Sequence, residues 1–146
     1  MSQALIAALV FTAALLVTHA YFLLGSVPLL VLKHDTPTDS RFVRSFFNTY
    51  YLLATYTASA TAVCLAFAGR SSLAAGAAGL ALLAVILRRT VVPKMDALHA
   101  QLSGSDTGSV AAFRRIHMTA ILLNLAQLML IVWSLISASI QSRAGV

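Results

Sequence analysis

The sequence predicts an all-α integral membrane protein: a four-helix bundle of antiparallel up-down topology. Three observations lead there. Of the 146 residues, 60% are hydrophobic and only 10% charged, whereas a soluble domain carries about 25% charged residues. Mean hydropathy is +0.88, which makes lipid the natural solvent. The apolar residues also fall into four long runs with short polar stretches between them. Four spans of about 20 residues each use most of the chain, so residues 1–146 form a single transmembrane domain with no room for a soluble one.

The first run covers residues 4–32 and is interrupted by little more than His19. At about 1.5 Å per residue it is longer than the hydrocarbon core is thick, so tilt or a bend near Pro28 is expected. Thr18-His19-Ala20 is a passable signal-peptidase context. No Lys or Arg precedes the run, however, and the run continues past that point, so a retained helix is expected. Pro37 and the Thr38–Ser40 stretch offer start chemistry for the second helix, whose span is residues 46–68. Gly69-Arg70-Ser71-Ser72 is a tight turn, which makes spans two and three antiparallel neighbours. The third span, residues 73–92, opens with small residues that let helices approach closely in lipid. The span ends before Pro93, beyond which Met95, Leu98 and Leu102 share a face suited to the membrane interface. After the flexible Ser103–Ser109 stretch, the fourth span covers residues 115–138.

Charge fixes the expected orientation. Lys33, Arg41, Arg44, Arg88, Arg89, Lys94, Arg114 and Arg115 fall on the side of the first and third loops; Arg70 and Arg143 fall on the other. Eight against two in short loops places the basic loops in the cytoplasm and both termini in the periplasm of an inner membrane. The net charge of +6 then suits anionic lipid headgroups as partners. Nucleic acid is excluded, because no separate basic domain or arm exists to carry it. The single Cys64 rules out an intrachain disulfide and reads as a small core residue.

Polar side chains inside hydrocarbon are costly and should face the bundle or a cavity. His117, Asn124 and Gln127 share one face of the fourth helix, with Ser134 two turns on; Asn48, Tyr51, Thr55 and Ser59 make a stripe on the second, with Tyr50, Thr57 and Thr61 to one side. Asn48, Tyr51 and Thr55 are the expected partners of the fourth-helix stripe. The stripes are either interhelical hydrogen bonds, worth about 0.6 kcal/mol each on average, or a substrate, proton or cofactor site. His19 is either a hydrogen-bonded packing residue or a ligand for haem b or copper. Pairing it with His117 is disfavoured: His19 lies about 18 Å from the cytoplasmic end of its helix, His117 within about one turn of it. No cofactor or metal is otherwise indicated. His34 and His99 lie in loops, as do all four acidic residues, Asp35, Asp39, Asp96 and Asp106. The usual carboxylate relay of a proton-coupled transporter is thereby missing.

Phe113-Arg114-Arg115-Ile116-His117 with Asn124-Leu125-Ala126-Gln127-Leu128, the Arg44–Tyr51 segment and Pro93 together resemble the transmembrane protein 205-like domain family. That resemblance implies a four-helix membrane fold, with a histidine opening the last helix and an asparagine two turns later, more than it implies an activity. The layout is also similar to the copper-resistance protein D type and to four-helix protoporphyrinogen oxidases. The latter implies a haem histidine at His19, but its third-helix lysine is missing here, since Lys94 lies past Pro93. A slighter likeness, to small anthrone-oxygenase-like membrane proteins, involves Pro93 and residues 115–117. The sequence therefore points first to a non-enzymatic inner-membrane protein, an accessory or interaction subunit or a small-molecule permeability factor, within a homo-oligomer or larger complex. Second comes a membrane oxidoreductase holding haem b or copper near His19.

Overall fold

The computed structural model describes residues 3–29, 37–102 and 107–144. Lys33, His34, Asp35 and Asp106 lie outside the described residues, as do the side chains of Asp39, His99, Leu102 and Arg143. The described residues form four helices: α1 (Gln3–Leu29), α2 (Pro37–Phe67), α3 (Ser71–Leu102) and α4 (Thr107–Ala144). All four are long and apolar enough to cross a membrane.

The buried positions explain why these helices form a bundle. On α1 they are Ala8, Leu15, His19, Phe22 and Ser26; on α4, Phe113, His117, Ala120, Asn124, Gln127 and Ile131 recur at alternating steps of four and three. Val43, Phe47, Tyr50, Ala54, Ala58 and Thr61 repeat the pattern on α2, and Ala74, Ala77, Ala81 and Ala84 repeat it on α3. A repeat of about 3.5 residues keeps a narrow seam turned toward neighbouring helices. α1 and α3 each pack against both α2 and α4, whereas α1 and α3, like α2 and α4, stand across the diagonal. Most of the apolar surface stays outside: only 22% to 28% of each helix's most apolar stretch is buried. Leu24 and Trp133 are 74% and 70% exposed. Apolar surface on that scale needs a non-aqueous environment or a partner.

The helix ends follow from local chemistry. Pro37 is the first residue of α2, where a missing N–H costs nothing. α2 is closed off by Gly69, two residues past its end, whose φ of 72° is left-handed. The Gly69 amide donates to the Ala66 carbonyl (3.0 Å) and the Arg70 amide to the Leu65 carbonyl (2.9 Å), satisfying two orphan carbonyls of the last turn. The Arg70 carbonyl then accepts from the Ala74 amide (2.9 Å), so α3 starts almost at once.

α3 runs unbroken through Pro93 to Leu102, ten residues past the expected end of the span. Pro93 and Arg89 both lie on the exposed face, so the one carbonyl deprived of its amide partner is on the outside of the bundle. Met95 is consequently fully buried, and Leu98 packs against the same cluster, so both join the core.

Close approach marks the α1–α2 contact. A Cβ on Gly25 would stand 2.7 Å from Cζ of Phe46, whose ring stacks on Phe22 at 5.4 Å between centroids. Phe22 also stacks on Tyr50, at 3.9 Å. Between α2 and α3, the Arg44 guanidinium grips Asp96 through Nε (2.7 Å) and Nη2 (2.9 Å).

Candidate functional site

A buried polar layer crosses the bundle between two apolar clusters. On one side lie Phe22, Val43, Phe47, Met95 and Phe113; on the other, Leu15, Ala58, Ala81 and Ile131. On each contributing helix the polar residues fall between these positions in chain order: His19 on α1, Tyr50 on α2, Asn124 and Gln127 on α4. His19 and Asn124 are each 1% exposed.

Two interhelical contacts hold the layer together. Asn124 Nδ2 donates to the Tyr50 hydroxyl across the α2–α4 diagonal. The Gln127 amide meets His19 Nε2, at 3.1 Å from Oε1. His19 Nδ1 donates to the Leu15 carbonyl one turn earlier (2.9 Å), so both ring nitrogens are engaged. That geometry serves either protonation state. A neutral ring whose proton is on Nδ1 accepts at Nε2 from the Gln127 NH2 group, an amide orientation that heavy-atom positions leave open. A protonated ring donates from Nε2 to Oε1. Tyr50 also meets the His19 ring edge-on, at 5.6 Å. Asn124 Oδ1 is buried without a hydrogen-bond partner, so the layer is not fully satisfied.

The other sequence candidates take different places. His117 is fully buried, one apolar layer away, with its ring edge-on to Phe47 at 5.1 Å. His19 lies level with Gln127, ten residues beyond His117 and so displaced along α4 by about 15 Å. The two imidazoles therefore do not flank a common point. Asn48 faces α3, where its Oδ1 accepts from Arg88 Nε (3.0 Å). Tyr51 is buried beside Phe47. Thr55 spends its hydroxyl on the Tyr51 carbonyl (2.7 Å), Ser134 does the same with Ile131 (2.8 Å), and Ser59 is exposed. Asn124 is thus answered by Tyr50, not by Asn48, Tyr51 or Thr55. Small Ala54 and Ala58 continuing the Tyr50 face were the available signal for it, because close helix contacts in lipid favour small residues.

A haem or copper at His19 fits this arrangement poorly. Nε2 would have to leave Gln127, and a porphyrin would have to part helices that meet there through a packed aromatic cluster. Among the described residues, no group of three or more His, Cys, Asp or Glu is placed to hold a metal. No protein-family model, curated protein or solved structure matches the chain.

Proposed function

We propose that the chain is a multi-pass protein of a cell's inner membrane, antiparallel throughout, with both termini periplasmic, acting as a non-enzymatic accessory or interaction subunit. The observation that carries the function is the closed polar layer. Its two interhelical contacts pair His19 with Gln127 and Asn124 with Tyr50, and apolar clusters lie on both sides of it, which favours a structural use of polarity over a conduit or a reaction centre. Antiparallel packing is supported by pairs whose numbers run in opposite directions. Leu15 and Ile131 share a cluster while His19 meets Gln127; Arg44 meets Asp96 while Asn48 meets Arg88. The interaction role draws support from α3, where Ala75, Gly76, Ala78 and Gly79 are exposed and the space beside both glycines is open. Small exposed residues of this kind suit lateral helix contact.

Site-directed cross-linking tests this. In a Cys64→Ala background, cysteine at position 76 or 79 should form a protein adduct in native membranes, and cysteine at exposed Tyr56 should not. A stoichiometric Soret band from the purified protein, abolished by His19→Ala, would overturn the non-enzymatic assignment and restore the oxidoreductase. Orientation is read separately: cysteines at Ser105 and Ser142, probed with an impermeant thiol reagent on intact cells, should label at 142 only.

A further inference from the structure

One outer seam of the bundle concentrates positive charge. Arg41, Arg44 and Asn48 follow at steps of three and four on α2, so they form one stripe. Arg89 and Asp96 are seven residues apart on α3 and share an edge. The bond from Arg44 to Asp96 turns these two edges toward each other. A turn further along, Arg88 Nε donates to Asn48 Oδ1. Four arginines thus border this seam with Asp96 as the one carboxylate among the described residues there, and two Arg44 donors already occupy it.

We propose that this seam binds the phosphate of an anionic phospholipid headgroup, with Arg88 as its bidentate ligand and Arg89 as a second cation. The proposal rests on the membrane-spanning assignment above. Arg88 is half-buried and its plane is set by the Asn48 bond. With Nε engaged, the edge formed by its two η-nitrogens points away from its own stem, and among the described residues no acceptor meets it. A planar pair of N–H donors matches a phosphate. Among the described residues the nearest carboxylate at the seam is Asp96, which already accepts twice from Arg44, and the sequence contains no glutamate. Position agrees as well. Residues 73–87 are uncharged and rise about 22 Å, so an arginine that follows them reaches the headgroup layer by extending its aliphatic stem. Lys94, Arg114 and Arg115 are exposed nearer the same end of the bundle but have no such orienting partner among the described residues, and they supply only a diffuse field.

The test uses the full chain in an uncharged detergent. Binding of phosphatidylglycerol, of phosphatidylcholine with the same acyl chains, and of inorganic phosphate is measured by native mass spectrometry and by the shift in thermal midpoint. The wild type should retain phosphatidylglycerol in preference to phosphatidylcholine. Arg88→Gln should weaken that binding roughly tenfold, the scale of one good charge-assisted contact, and Arg115→Gln should leave it within about twofold. Arg88→Lys keeps the charge without the fork and should fall between; if Arg88→Gln does not fold, the lysine variant decides alone. Unchanged binding in both Arg88 variants would overturn the site, and so would an equal loss in Arg115→Gln. Equal stabilisation by inorganic phosphate would make the ligand a soluble anion and remove the lipid. Binding in detergent does not depend on membrane orientation, so failure here is distinct from a reversed topology in the thiol-labelling experiment.

Discussion

Replacing Tyr50 by Phe removes a single oxygen, yet the polar layer makes it the more damaging half of a pair. The Tyr50 hydroxyl is the partner of Asn124 Nδ2, and Asn124 Oδ1 already lacks one. Tyr50→Phe therefore leaves an entire amide stranded at a position 1% exposed. The lost interhelical bond contributes about 0.6 kcal/mol, up to about 1.7, and desolvating the abandoned donor adds about 1–3 kcal/mol, giving an expected cost of about 2–5 kcal/mol. Asn124→Leu loses the same bond and leaves the buried Tyr50 hydroxyl unpaired, but it also removes the unsatisfied carbonyl, so a smaller cost of about 0.5–2 kcal/mol is expected. The double variant Tyr50→Phe/Asn124→Leu replaces both partners with apolar groups of similar shape and should recover to within about 1 kcal/mol of wild type. Reversible unfolding in mixed micelles with increasing dodecyl sulfate, followed by circular dichroism, gives all three values. A double variant less stable than Tyr50→Phe alone would refute the reasoning, because the two changes would then be adding instead of compensating.

Gly25→Ala places a methyl group against the tip of Phe46 and should cost about 1–3 kcal/mol by overpacking, with most of the loss recovered in Gly25→Ala/Phe46→Leu; the same micelle titration measures both. Gly69→Ala meets no neighbouring atom and is penalised only by its φ of 72°, so about 1 kcal/mol is expected, and Gly69→Asn should be milder because asparagine tolerates that conformation.

The four helices were legible because long apolar runs have few options: in hydrocarbon, the environment proposed above, a backbone must satisfy itself, so such runs become helices. The turn at Gly69 was legible too, since glycine followed by polar residues marks a helix stop. The continuation of α3 past Pro93 was not legible, because it depends on the ring falling on the exposed face, clear of the neighbouring helices. At the site, burial of His117, Asn124 and Gln127 followed from the cost of solvating polar groups in hydrocarbon, but their partners did not. Tyr50 and Asn48 differ by two residues and therefore point about 160° apart on α2. Which of them meets α4 depends on the rotation of α2 about its own axis, which is set by packing of Phe22, Phe46 and Phe47, a property of four helices together. Arg88 was counted only as an orienting charge, since its bond to Asn48 appears only when α2 and α3 are side by side.

The polar layer also imposes an order on the making of the protein. Tyr50 waits 74 residues for Asn124, and His19 waits 108 for Gln127. The α2–α3 hairpin, by contrast, closes across the turn at Gly69 and is clasped by Arg44 and Asp96. A nascent chain that has released only its first three helices therefore holds a locked hairpin beside an imidazole and a phenol whose amide partners do not yet exist. The fourth helix supplies both amides, so under the membrane-spanning assignment proposed above, chains truncated before it would carry unmet polar groups in the bilayer, the kind of exposure by which quality control distinguishes an unfinished membrane protein from a finished one.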